Sequence, residues 1–256
     1  MKSMERLDKI LSNNGVGTRK TVRPLVWRGR VTVNGEVATN PDQKVDADRD
    51  VIAVDGEMLV VRRNICIMMN KPAGYVCSAK SGAHETVFDL LPPELPLSFL
   101  GGDLGMVGHL DVDTEGLLLF TSDGVLNHKL SSPKYRVPKI YLVTLRDAVS
   151  EKERARYESS LGKGIHIAAE GHEEAWDCLP AQIAWDTDDH VCRVTVHEGK
   201  FHEIKRMFAA LQNEVVGLKR LQVGGVKLDE NLKSGQVREL TPEEINALFE
   251  QEAKSE

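Results

Sequence analysis

The chain opens with two apolar patterns of helical period and then changes to period two. Arg6 to Asn14 carries Leu7, Ile10 and Leu11 on one face, with Asn14-Gly15 as a stop, and a second helix is predicted from about Thr18 to Arg28. Pro24 falls inside it, where a missing N–H should kink or shorten the helix. Arg30 to Val37 then alternates around Asn34-Gly35, the strongest short hairpin signal. A polar stretch between Asp42 and Arg63 contains a short strand, Val51 to Val54, and a turn at Asp55-Gly56.

From about Val60 onward the alternation is heavier. Ile65 to Met69 reads as a strand, and Asn70 to Ser78, with Pro72 and Gly74, as a shaped loop. Residues 92–105, rich in Pro and Gly, read as a second loop. Leu117 to Phe120 is apolar throughout and closed by Asp123-Gly124, so it predicts a strand buried on both faces. A short helix follows from Val125 to Ser132, stopped by Pro133, and then a strand from Lys139 to Leu145 that puts Lys139, Tyr141, Val143 and Leu145 on one side. Ser150-Glu151-Lys152-Glu153 is a capping box whose helix Gly162 or Gly164 closes. Strands are predicted near Ile165–Ala169, Leu179–Trp185, Val191–Val196 and Val215–Val223. Between the last two, Ile204, Met207, Phe208 and Leu211 form one helical stripe. Thr241-Pro242-Glu243-Glu244 starts a final helix.

These elements predict an α+β protein of two parts, a small helical head with a hairpin over residues 1–60 and a body over 61–256 built on a mixed, mainly antiparallel sheet. The length of 256 residues fits one large and one small domain. With 41% hydrophobic and 28% charged residues, the chain is composed like a folded globular protein rather than a disordered one. No apolar run approaches the ~20 residues of a membrane helix, and the first ten residues are too charged for a signal peptide. A cytoplasmic location is the expectation. Cys66, Cys77, Cys178 and Cys192 form no Cys-x-x-Cys pair, so neither a disulfide framework nor a zinc site is predicted.

Charge changes the picture more than composition does. The net charge is −6, yet residues 1–35 hold eight basic side chains against two acidic ones, which leaves −12 for the remainder. Arg6, Lys9, Arg19, Lys20, Arg28 and Arg30 are among those eight. A basic head on an acidic body points to a small polyanion-binding module.

Among candidate chemical groups, Asp111 stands out, because the buried strand that follows would hold it in place as a nucleophile or base. The run Asp111-x-Asp113-x-Glu115-Gly116 copies the opening of an EF-hand loop, but the twelfth position is Ser122 and the residues between are apolar, which excludes that calcium loop. His197-Glu198 and His202 have the wrong spacing for a zincin and enclose Gly199. Gly102, Gly105 and Gly108 do not match a dinucleotide fingerprint.

The head, with Arg-Leu-Asp-Lys at its start and Arg-Gly-Arg-Val-x-Val-Asn-Gly-Glu at its end, resembles the RNA-binding module of ribosomal protein S4. The body resembles the pseudouridine synthases, specifically the group acting on small-subunit ribosomal RNA. It does so through Asn70-Lys71-Pro72-x-Gly74, Gly108-x-Leu110-Asp111-x-x-Thr114-x-Gly116-Leu117, Lys139-x-Tyr141-x-Val143 and Glu198-Gly199-Lys200-x-His202-x-x-Lys205-Arg206-Met207. This resemblance implies isomerisation of a uridine without any cofactor, acting on small-subunit ribosomal RNA or an assembly intermediate of it; a monomer is the expectation, although no residue pattern bears on oligomeric state. It implies Asp111 as the catalytic carboxylate, Lys205 as its basic partner and Tyr141 as the ring against the target base. Leu110 and Thr114 flank the aspartate as substrate-binding positions. Lys71, Arg206 and Arg220, together with the basic head, are expected to hold RNA phosphates and so offset the cost of turning a base out of its stack.

Two positions depart from the family. His109 stands where arginine is usual before Leu-Asp, a shorter side chain without the fixed charge and donor fork. Glu203 stands where glutamine is usual. Because of His109, a non-catalytic RNA-binding or ribosome-assembly protein on the same scaffold is the competing expectation, beside a synthase for large-subunit RNA. A hydrolase using Asp111 with Asp113 or Asp123 lacks an acid partner.

Overall fold

The computed structural model describes residues 4–47, 49–61, 64–79, 81–82, 84–92, 104–169, 171 and 174–249. The chain divides into two compact units, one of residues 1–65 with 92–105 and 121–123, the other of residues 66–91, 106–120 and 124–256. Most of the predicted loop at 92–105 lies outside the described residues.

The first unit contains β1 (Met4–Arg6), α1 (Leu7–Asn13), α2 (Arg19–Trp27), β2 (Val31–Val33), β3 (Glu36–Val37), β4 (Lys44–Asp46), β5 (Ile52–Val54) and β6 (Glu57–Met58). Leu7, Ile10 and Leu11 of α1 meet Val22 and Val26 of α2 over Val31, Val45 and Ile52, so the predicted helical faces supply this core. Strands β3, β2, β5 and β6 form a four-stranded antiparallel sheet in that order. The hairpin turn uses positive φ at both Asn34 (53°) and Gly35 (83°), the geometry that the Asn-Gly pair predicts. Helix α2 continues past Pro24 to Trp27, against the expected break. Pro24 is partly exposed on a short helix, and the carbonyl four residues earlier, at exposed Lys20, can bond to water instead.

Apart from the terminal residues Gly105 and Thr121, which fall in the first, the second unit contains β7 (Cys66–Lys71), β8 (Gly105–Val107), β9 (Glu115–Thr121), α3 (Gly124–Ser131), β10 (Lys139–Leu145), α4 (Glu151–Lys163), β11 (His166–Ile167), β12 (Trp176–Asp177), β13 (Gln182–Trp185), β14 (Val191–Val196), α5 (Glu203–Ala210), β15 (Val215–Val223), β16 (Val226–Lys227), β17 (Val237–Glu239) and α6 (Pro242–Ala247). Its sheet runs β13-β14-β10-β15-β9-β7-β17. The pairs β10/β14, β10/β15, β13/β14 and β7/β17 are antiparallel, while β9 and β15 are parallel, so the sheet is mixed and mainly antiparallel. Leu117, Leu118, Leu119 and Phe120 of β9 are all inaccessible, as a strand covered on both faces must be. Gly116 makes the β9/β15 contact possible: a Cβ there would lie 2.3 Å from the Arg220 carbonyl oxygen. Helix α4 has the full Ser150–Glu153 capping box and ends at Gly164.

Candidate active site

Asp111 lies in the turn between β8 and β9, and the turn is shaped from inside. Lys71, at the end of β7, is wholly inaccessible, and its ammonium donates to four main-chain oxygens: Pro72 (3.0 Å), Asp111 (3.1 Å), Val112 (3.4 Å) and Thr114 (2.8 Å). Burial lowers its pKa, opposed by the nearby acidic groups. Gly74 N–H donates to the Val112 carbonyl (2.7 Å), and Thr114 N–H to that of Asp111 (3.1 Å). Buried Leu110 pins the other end of the segment in the core. The carboxylate of Asp111 is thereby held by its backbone and turned outward, about one-quarter exposed.

Helix α5 brings a cation to it. Ile204, Met207 and Phe208 are buried, so the helix is fixed by its apolar stripe and Lys205 emerges beside that face. Its ammonium bonds Asp111 Oδ2 at 2.8 Å and Asp113 Oδ1 at 2.6 Å. Burial would lower the Lys205 pKa, but the two carboxylates outweigh it and raise it. On the other side, His202 Nε2 is 3.6 Å from Asp111 Oδ1. His202 is the N-cap of α5 and sits in the left-handed region (φ 50°), a backbone state that costs on the order of 1 kcal/mol for a residue with a Cβ.

Tyr141, 8% exposed, lines the same cleft as Asp111, His109, Leu110, Thr114 and His202. Thr114 is buried there with a hydroxyl oxygen that has no hydrogen-bond partner among the described residues. Arg220 forms part of the cleft wall. It is 1% exposed and donates to the carbonyls of Leu117 (2.7 Å) and Gly108 (2.8 Å) and to the Tyr141 hydroxyl (3.4 Å). Gly108 (φ 64°) leaves room for it, since a Cβ would stand 3.3 Å from an Arg220 nitrogen.

Three expectations are therefore corrected. Lys71 and Arg220 do not face solvent to grip phosphates; their donors are used on the protein's own carbonyls and, for Arg220, on the Tyr141 hydroxyl, so both buried cations are partnered. Arg206 is likewise buried, donating to the Ala168 carbonyl at 2.6 Å with its guanidinium 4.2 Å from the Trp176 ring centre. In the first unit, Arg6 is paired with Asp8 and Asp42, Arg30 with Asp55, and Lys9 with Glu5 at 2.9 Å. Arg19, Lys20 and Arg28 are exposed.

Sequence reasoning did not single out His202, Lys139 or Glu203 as site groups. Lys139 is buried in the cleft wall, donates to the carbonyls of Val137 and Glu198 (both 3.3 Å), and has its pKa lowered to about 8 by burial and then by Arg220. The alternation of β10, which puts Lys139 on the Tyr141 face, is the signal that could have found it. Cys178, Glu198 and Glu203 bring potential metal-binding atoms within 4.8 Å of one another. Burial pushes the Cys178 thiol up to about 12 and the Glu203 carboxyl to about 8, so both hold protons near neutral pH and are poorly prepared as ligands.

Residues 65–210 match the model of the RNA pseudouridylate synthase family and residues 5–52 that of the S4 domain. The chain is 40% identical over 241 residues to the ribosomal small subunit pseudouridine synthase A of Pasteurella multocida, covering 94% of this chain and 97% of that one. It is 38% identical to the Escherichia coli (strain K12) protein of the same name over 242 residues, 94% and 98% of the two chains. A solved pseudouridylate synthase shares 37% identity and superposes with a TM-score of 0.63, covering 95% of this chain and 99% of that one. The protein belongs to the RNA pseudouridine synthases, enzymes that isomerise uridine within RNA, and it carries an amino-terminal S4 domain.

Proposed function

We propose that this enzyme converts one uridine of small-subunit ribosomal RNA to pseudouridine, with Asp111 as the reacting carboxylate, and that it works as a monomer in the cytoplasm. The observation that carries the reading is the double hold on Asp111, with Lys205 at 2.8 Å from one carboxylate oxygen and His202 at 3.6 Å from the other, facing a cleft that also contains Tyr141. The full-length likeness to synthases named for the small ribosomal subunit supports that substrate class.

In the reaction the N1–C1′ bond breaks and a C5–C1′ bond forms. N1 gains a proton, the C5 hydrogen leaves as a proton, and no electrons enter or leave. Asp111 starts it by attacking the nucleoside or by taking a ribose proton. Lys205 fixes the carboxylate's direction and balances its charge once the uridine displaces water. Tyr141, steadied by Arg220, lies against the uracil ring and is placed to assist C5 deprotonation. Thr114, in the wall of the same cleft, helps shape the space that receives the nucleotide. Exposed Arg19, Lys20 and Arg28 contribute phosphate contacts from the S4 domain.

The test is tritium release from small-subunit ribosomal RNA labelled at C5 of uridine, with mapping of the pseudouridine formed. Release at a single position is expected. Binding of that RNA without release would favour the assembly-factor alternative, and release only from large-subunit RNA would reassign the substrate.

A further inference from the structure

Beside the reacting carboxylate stands an aromatic side chain for which catalysis has no use. Phe201 is 54% exposed. Its ring is stacked on that of His202, centres 3.7 Å apart and planes inclined by 21°. His202 lines the cleft and places Nε2 3.6 Å from Asp111 Oδ1. The pair sits at the fixed end of α5, with buried Glu203 and Ile204 immediately after it, so it is carried by a packed helix. Lys200 in the same turn is 42% exposed, with its ammonium 3.7 Å from Glu198 Oε2 and 4.9 Å from the Trp176 ring centre.

We propose that the Phe201–His202 stack is a nucleobase platform: the outer face of Phe201 takes the base of a nucleotide flanking the uridine that enters the cleft. This rests on the RNA-modifying reading above. When a uridine leaves its stack, a neighbouring base loses a partner and exposes an apolar face. Single-stranded RNA sites cover such faces with aromatic rings, tolerantly of sequence because every base has one. The chemistry of the patch selects this occupant. A neutral ring gives a phosphate nothing, and one side chain is far smaller than the roughly 800 Å² per partner that a stable protein interface needs. A platform two rings deep from Asp111 puts the flanking base beside the target.

Phe201→Ala, Phe201→Leu and Phe201→Trp separate stacking from bulk. With C5-tritiated small-subunit ribosomal RNA transcript, the Ala and Leu variants should raise KM by at least about fivefold, outrunning any fall in kcat, and Trp should restore it. A transcript with 2-aminopurine beside the mapped uridine should lose fluorescence on binding the native enzyme or the Trp variant, and should not on binding the Leu variant. Native KM and native quenching in Phe201→Leu would overturn the platform while leaving the catalytic reading intact. Absence of tritium release by the native enzyme would sink both.

Discussion

Substituting Glu203 by Gln should make the protein more stable, by an amount that grows with pH. Glu198 and Glu203 are each 5% exposed and lie side by side beneath the turn that delivers His202 and Lys205. Glu198 accepts the Leu179 N–H at 2.7 Å, and Glu203 accepts that of Lys200 at 3.3 Å. Burial, followed by the charge and hydrogen bond of Glu198, raises the Glu203 pKa from 4.5 to about 8, against the pull of Lys139. Between those values the folded chain holds a proton that the unfolded chain has released. The stabilisation is therefore complete below pH 4.5 and is lost as pH rises towards 8, at about 1.4 kcal/mol per pH unit. Lys139, lowered to about 8, acts in the opposite sense only above that pH.

Glutamine keeps the acceptor for Lys200, donates to Glu198 and does not titrate. From pH 6.0 to 7.5 the stability gap between Glu203→Gln and the native protein should widen by about 2 kcal/mol. At roughly 2–4 °C per kcal/mol for a unit of this size, that is about 4–8 °C in Tm. Thermal unfolding followed by tryptophan fluorescence in a Trp27→Phe background, in buffers of matched ionic strength, reads the second unit through Trp176 and Trp185. Native and variant curves that stay parallel across this range would refute the shared-proton argument.

On the proposed role of Asp111, Asp111→Asn should reduce tritium release at least about a thousandfold while leaving the Tm near native, since the side chain changes and the backbone hold on the turn does not. Lys205→Met, which removes two charged hydrogen bonds, should lower kcat by about 10- to 100-fold with a smaller change in RNA affinity, measured by single-turnover kinetics and filter binding. Lys71→Met should cost about 3 kcal/mol or more in urea unfolding, because four main-chain carbonyls, that of buried Thr114 among them, lose one inaccessible donor together. His109→Arg should keep or raise turnover; a clear fall would show that histidine has its own task at this exposed position.

How far the sequence leads depends on what kind of signal a residue leaves in it. Apolar period reveals β9, β10, β14 and β15 almost to the residue, because burial on one or both faces dictates side-chain type. Caps and turns reveal α4, α6 and the Asn34-Gly35 hairpin, because backbone geometry there restricts composition. Short pieces such as β8, β16 and β17 leave no pattern of their own and exist only through the strands they pair with. The pairing of Asp111 with Lys205 is 94 positions apart in the chain, visible beforehand only through the family's motifs. Lys71, Arg206 and Arg220 mislead for a physical reason: a cation in a sequence looks solvated, and only the fold reveals main-chain oxygens gathered around it. Lys71 did leave a trace, standing two and four places after Met69 and Ile67 on one face of β7.

Among the described residues, the ammonium inside the Asp111 turn donates to main-chain oxygen alone, and this makes the anchor indifferent to spelling. Residue 112 can be exchanged over evolution without loosening the arc that carries Asp111, since every amino acid offers the same carbonyl. Variation in substrate preference could accumulate in this bend while its shape is inherited unchanged.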